Sequence, residues 1–355
     1  MNSCIKILES LNNNGISSKD ARIVFNEDLT MRIETNGLSL YEGDTIVRPP
    51  LVVLTRIHSG CMSFDFHVTL LIHLELMGVI VCNPSKCVVT CTNKVLHLAE
   101  LALHNIPLAT TLSYSSKSLD MVNTKLVEQE LKSPVIVKSV HGNRGNKVFL
   151  LPQAEMMEEM KGILNHDVPY LFQHYVKESH GRDMRVIVIN NECVFAMIRS
   201  SNSNSVKANL SQGGTGEIVT GKYPDAEALA VRISKILKMD LAGVDLLFSN
   251  EHGYVCCEVN NCPAFTLALS LVATKIAQML ISKLPTYAAS STPTKADTKL
   301  LAKGPNMAST PLSVTDLLTS TPKGTDYCSP YEIQKCASCE ENISLLTTSF
   351  DETKI

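Results

Sequence analysis

Two apolar runs, Gly243-Val244-Asp245-Leu246-Leu247-Phe248 and Tyr254-Val255-Cys256-Cys257-Glu258-Val259-Asn260, flank the turn cluster Asn250-Glu251-His252-Gly253. Short β-prone runs on either side of such a cluster predict a hairpin. With a four-residue loop, Ser249 faces Tyr254, Leu247 faces Cys256, and Asp245 falls opposite Glu258 with Asn260 on the same face. Like charges opposed on a sheet repel, so a core strand pair that carries them needs a compensating cation. All three donors are hard oxygens, which suit Mg²⁺ far better than zinc. The pattern alone leaves a second reading open: Val244, Leu246, Val255 and Val259 satisfy burial on the other face, and the carboxylates then face water.

The surrounding chain reads as hairpins separated by helices. Pro134-Val135-Ile136-Val137-Lys138 and Lys147-Val148-Phe149-Leu150-Leu151 flank a glycine-bearing connection, while 184–189 and 193–198 flank Asn190-Asn191, a pair suited to a type I′ turn. Helical patterns cover 154–164 and 225–237. Strands paired by hairpins with helices between predict an α+β catalytic unit. Before it, residues 1–90 alternate short apolar runs such as Leu51-Val52-Val53-Leu54 with helical stretches, the pattern of a small α/β layer. A helix is expected over 93–102, with Leu96, Leu98 and Leu101 on its buried face and Asn105-Ile106-Pro107 as its stop.

Two further segments carry chemistry. In Lys138-Ser139-Val140-His141-Gly142-Asn143-Arg144-Gly145-Asn146 a strand ends in a lysine and continues into a loop with two glycines. Such a loop lets backbone amides approach phosphate oxygens, although an ordinary hairpin turn has the same composition. It is neither a Walker A loop nor a GxGxxG fingerprint. In 170–185 an apolar strand passes through Lys177-Glu178-Ser179-His180-Gly181 into a strand whose Asp183 and Arg185 share one face. That face offers a carboxylate to hydroxyls and a guanidinium to a phosphate or carboxylate, and a surface ion pair is the plainer alternative. His97, His104, His166 and His252 lack acidic, Ser or Cys partners at motif spacing, which points to solvated or core histidines.

Charge excludes some function classes. The 355 residues carry 32 Lys and Arg against 35 Asp and Glu, a net charge of -3, so no overall basic field exists to hold a nucleic acid or an anionic membrane. The start of the chain lacks a secretory pattern, and the most apolar stretches, 66–82 and 259–274, fall short of a bilayer span. A cytoplasmic location with reduced cysteines is expected. From about residue 290 the sequence turns to Thr-Pro, Gly-Pro and Ser-Pro pairs among scattered Ser and Thr, which predicts a disordered extension dispensable for catalysis. Cys336 and Cys339 have metal or redox spacing within it, but no second pair completes a site.

Taken together and in order, these segments resemble the ATP-grasp fold, specifically its RimK-type carboxylate-amine ligases, among them the animal enzymes that make N-acetylaspartylglutamate and β-citrylglutamate. The phrases Pro169-Tyr170-Leu171-Phe172-Gln173-His174-Tyr175-Val176-Lys177-Glu178-Ser179-His180-Gly181-Arg182-Asp183, Asn209-Leu210-Ser211-Gln212-Gly213-Gly214 and Gly243-Val244-Asp245-Leu246-Leu247 carry the likeness, which spans about 20–284. It implies a small N-terminal α/β domain over 1–90, an ATP-grasp catalytic region over 91–289 and a tail over 290–355. Lys94 and Lys138 would touch the ATP phosphates, and Gln173, His174, Tyr175, Val176 and Lys177 would form the adenine hinge. Asp183 would take the ribose. Arg199, Lys207 and Asn209 would line the triphosphate or acyl phosphate, and Asp245, Glu258 and Asn260 would hold two Mg²⁺ or Mn²⁺ ions. Arg185 would hold the tetrahedral oxyanion or the acceptor carboxylate. The implied partners are a small-molecule carboxylate and glutamate, with no nucleic acid and no membrane. The implied reaction joins glutamate to N-acetylaspartate through an acyl phosphate; citrate, or a protein C-terminus such as that of ribosomal protein S6, is the alternative donor. Three departures stand out. The chain opens inside what resembles the family's first helix, so the first strand of the N-terminal domain is expected to be missing. Lys207 replaces an arginine of the bacterial enzymes, and Cys262-Pro263-Ala264-Phe265 differs from the usual continuation.

Overall fold

A computed structural model of the chain describes residues 2–57, 62–114, 119–142, 147–153, 156–162, 164, 168–203, 205–206, 208, 210, 213–285 and 343–347. The N-terminal part comprises α1 (Asn2–Asn13), β1 (Ala21–Phe25), β2 (Leu29–Glu34), β3 (Gly37–Glu42), β4 (Thr45–Val47), β5 (Val52–Arg56), α2 (Thr69–Leu76), β6 (Ile80–Cys82), α3 (Ser85–Thr92) and α4 (Lys94–Leu103). Strands β2, β3 and β4 form an antiparallel meander that the sequence reading missed, although Gly37 and Gly43, both at positive φ, mark its two tight turns. Helix α4 runs close to the expected bounds, with the Asn93 side chain accepting from the amides of Val95 (2.9 Å) and Leu96 (3.2 Å) as its N-cap. Leu98 and Leu101 are buried as expected, whereas Leu96 is exposed.

The chain from residue 111 to residue 260 holds two sheets. The first, in the order β7 (Thr111–Ser113), β10 (Tyr170–His174), β8 (Val135–Ser139), β9 (Val148–Leu151), is backed by α5 (Thr124–Leu131) and α6 (Met157–Lys161) around Val137, Tyr170 and Phe172. The second runs β13 (Thr215–Ile218), β12 (Glu192–Ser200), β11 (Arg182–Ile189), β14 (Leu241–Ser249), β15 (Gly253–Asn260), antiparallel throughout. Asn190 and Asn191, at φ 49° and 65°, make the expected two-residue turn between β11 and β12. Both expected hairpins and both expected helices form. The second helix, α7 (Pro224–Ile236), sits within a residue of its predicted bounds, and α6 is shorter than expected.

Alternation along β11 sorts the two faces of this sheet. Met184, Val186 and Val188 pack with α7, α3 and α4, while Ile187 and Ile189 pack with α8 (Leu269–Ser282) and with Cys4, Ile7 and Leu11 of α1. The first helix of the chain therefore shares a core with the last helix of the catalytic region. Among the described residues no helix is long and apolar enough to cross a membrane.

Of the stretch read as a disordered extension, only residues 343–347 are described, and they form a strand, β16 (Ile343–Thr347). It lies inside the N-terminal sheet, whose order is β1-β16-β5-β6. Cys336 and Cys339 fall outside the described residues.

Candidate active site

The two catalytic sheets face each other across a cleft lined by Lys94, Ile136, Lys138, Gln173–Val176, Arg199, Asp245, Cys257 and Glu258, among others. Its floor is the β14–β15 hairpin. Asp245 pairs with Glu258 and Gly243 with Asn260, as the opposed-carboxylate argument required, but the route differs from the one expected. Ser249 pairs with Gly253 rather than Tyr254, and Leu246 with Cys256, so the loop is one residue shorter than expected. A bulge then leaves Cys257 as the extra residue and brings Glu258 back opposite Asp245. The bulge also turns Cys257 into the cleft, where Lys138 Nζ lies 3.7 Å from its Sγ.

Compensation for the opposed carboxylates comes from three cations, Arg185, Arg199 and Lys94. Arg185 clamps Asp245 through Nε and Nη2, each 2.7 Å from a carboxylate oxygen, and Arg199 Nη2 reaches Asp245 Oδ2 at 3.0 Å. Arg199 also grips Asp183 through two bonds of 2.7 and 2.6 Å. Lys94 Nζ lies 3.3 Å from Glu258 Oε1 and donates to the Gly142 carbonyl at 3.0 Å. Asn260 Nδ2 donates to Asp245 Oδ2 at 3.3 Å. Burial works against ionisation of Asp245, but Arg185 and Arg199 outweigh it and hold this carboxyl below its ordinary value. For Asp183 burial prevails over Arg199, and its carboxyl is raised.

Local sequence explains why these groups meet. Lys94 is the first residue of α4, at a helix N-terminus whose dipole adds to its charge. Lys138 and Ile136 share a face of β8 by strand alternation, a signal that would have found Ile136. Gly181, at φ 65°, turns the chain into β11 where a Cβ would meet the Ser205 carbonyl oxygen at 2.8 Å. Gly243 lets Pro263 pack onto the floor strand, since a Cβ there would lie 2.5 Å from Pro263 Cβ.

The expected hinge stands at the cleft: Gln173, His174, Tyr175 and Val176 line it, with Gln173 Nε2 bonded to Thr111 Oγ1 at 2.8 Å and His174 Nδ1 3.0 Å from the Leu131 carbonyl. Lys177 begins the following short 3₁₀ turn (Lys177–Ser179) and is not among the lining residues. Asp183, expected at a ribose, does not line the cleft, because both its oxygens are taken by Arg199. Arg185 and Asn260 lie behind Asp245 rather than on the cleft wall. Lys207 and Asn209 lie outside the described residues. The reading missed Cys257, Ser139, Ser179 and Leu247.

The model of the RimK-like ATP-grasp domain matches residues 91–284. The chain belongs to the RimK-like ATP-grasp family. This is a family of carboxylate-amine ligases, and the match covers the two-sheet unit just described. The chain is 36% identical to β-citrylglutamate synthase B of Homo sapiens over 273 residues, 75% of this chain and 70% of that protein. Against N-acetylaspartylglutamate synthase A of Homo sapiens it is 38% identical over 216 residues, 59% of this chain and 54% of that protein. A RimK-domain ATP-grasp protein from Sphaerobacter thermophilus shares the fold with a TM-score of 0.56 at 19% identity, over 79% of this chain and 95% of that one. So does the ATP-grasp ligase PsnB, solved with its minimal precursor, Mg and ADP, with a TM-score of 0.55 at 17% identity over 79% and 93%.

Proposed function

We propose that this chain joins glutamate to N-acetylaspartate at the expense of ATP, releasing ADP and phosphate. The observation that carries the reading is the charge arrangement of the cleft: among its described lining residues Lys94, Lys138 and Arg199 stand against Asp245 and Glu258, leaving one cation in excess before any ligand enters. A triphosphate between the sheets meets that excess, with its base against Gln173–Val176 and its far phosphates near Lys94 and Lys138.

Asp245, Glu258 and Asn260 carry the hard oxygens that Mg²⁺ prefers, but among the described residues no cluster of three or more His, Cys, Asp or Glu is assembled for a metal, and Asp245 is held by Arg185 and Arg199, so an ion would have to take Asp245 in competition with those arginines. Bound there, Mg²⁺ would spread the charge of the phosphoryl group in transfer. The chain's own residues do the rest. Lys138 orients the terminal phosphate toward the donor carboxylate, whose oxygen displaces ADP to give an acyl phosphate. The amine of glutamate then attacks the acyl carbon, phosphate leaves, and the amide forms. Arg185 stays locked on Asp245 and positions it.

Citrate as donor is a second reading, favoured by the longer match to β-citrylglutamate synthase B. Incubation with ATP, Mg²⁺, glutamate and each donor in turn, followed by product analysis, separates the two. Hydroxylamine in place of glutamate should trap the acyl phosphate as a hydroxamate together with ADP. AMP and pyrophosphate instead would replace phosphorylation with adenylation and overturn the mechanism.

A further inference from the structure

Strand β16 occupies an inner position. Its register pairs Ala21 through Phe25 of β1 with Thr347 through Ile343 on one side, and Val52 through Arg56 of β5 with Thr347 through Ile343 on the other. Both pairings are antiparallel, so β1, β5 and β6 run parallel to one another with β16 reversed among them. Among the described residues β1 has no other sheet partner. Remove β16, and β1 and β5 stand about two strand spacings apart, roughly 9.5 Å, with two open edges facing each other. Val52, Val53 and Leu54 are all fully buried, so both faces of the slot are covered. A strand seated there is asked for apolar residues in succession rather than in alternation. The register sets Leu345 opposite Leu54 and Leu346 opposite Val53.

We propose that the N-terminal sheet contains a strand-acceptor slot which the chain fills with its own residues 343–347, making this segment a structural part of the ligase. Reach is no obstacle, since the chain between residues 285 and 343 can extend at roughly 3.3 Å per residue, well beyond the width of the domain. The slot also communicates with the cleft. Ile343 pairs with Arg56, whose Nη2 donates to the Pro263 carbonyl at 3.0 Å and whose guanidinium sits 5.1 Å from the Phe265 ring centre. Pro263 in turn rests on Gly243, the floor-strand residue paired with Asn260. An empty slot frees the end of β5 that supports this loop.

Amide hydrogen exchange on the full chain tests the proposal first. Residues 21–25 should exchange at least about a hundredfold more slowly than exposed loop amides, and independently of protein concentration. Leu345→Pro, which removes a ladder donor, should abolish that protection and lower ligase activity about tenfold. A chain ending at residue 285 should behave likewise, and a synthetic peptide of residues 340–351 should restore protection and activity, while the same peptide with Leu345→Pro should not. Fast exchange of residues 21–25 in the full chain overturns the proposal even if the shortened chain fails to fold. So does full protection after truncation. Protection that rises with protein concentration overturns the intrachain assignment in favour of a strand from a second copy.

Discussion

At the scale of single residues, Asp245 and Glu258 sit opposite each other yet play unequal parts in the fold. Asp245 is buried and bound by two guanidinium groups and an amide, whereas Glu258 keeps a quarter of its side chain exposed and shares one oxygen with Lys94. Asp245→Asn should therefore cost stability as well as turnover, about 3 kcal/mol or more, because it leaves buried arginines short of a partner charge. Glu258→Gln is the cleaner probe: kcat should fall at least about a hundredfold, the scale on which single electrostatic contributors act, with a near-normal urea midpoint. Lys138→Ala should weaken ATP binding about ten- to a hundredfold in a calorimetric titration, as expected for a lost charge-assisted bond. His97 is completely buried beside these lysines, and burial with Lys94 and Lys138 nearby outweighs weak contacts to the Cys91 and Asn93 backbone and holds its imidazole down to about 3. A base depressed in the folded state stabilises the fold fully above its unfolded value near 6.5 and loses that contribution as pH falls toward 3. Between pH 6.5 and pH 5 the loss should reach about 2 kcal/mol, and urea titrations of His97→Leu should show a correspondingly flatter slope.

Elements whose signals are local were legible in the sequence. The type I′ turn at Asn190-Asn191, the helix beginning at Asn93 and the pairing of Asp245 with Glu258 were all readable from a few adjacent residues. The bulge at Cys257 was not, because apolar residues on both sides give no sign of which one is surplus; only the packed sheet selects it. Asp183 and Arg199 were placed on ligand by resemblance, whereas their mutual grip depends on cross-strand register, where the two stand directly opposite. The close approach of Pro263 to β14 was equally invisible. Gly243→Ala should force β15 and the loop after it to shift, costing about 1–3 kcal/mol by denaturant unfolding, with activity falling alongside stability.

For the molecule as a whole, the packing of α1 against α8 and the second sheet ties the start of the chain to the sheet that carries Asp245 and Glu258. Leu11→Ala, far from the cleft, should cost about 2–5 kcal/mol and lower the thermal midpoint of the catalytic region together with that of the N-terminal sheet. Two separate transitions in calorimetry would show that the shared core does not couple them. The class of fold was readable because hairpins and helices alternate in a fixed order over the catalytic region. The placement of β16 was not, since a strand's partners far along the chain leave no mark on its own sequence. The bulge has a consequence for how such a chain can change. Asp245 and Glu258 take their alignment from the Gly243–Asn260 end of the hairpin, and the surplus residue at Cys257 lies between them and the tip. Residues added or lost around Asn250, Glu251 and His252 are thus absorbed before they reach the carboxylates, and the outer end of this hairpin is free to vary in length while Asp245 and Glu258 stay where they are.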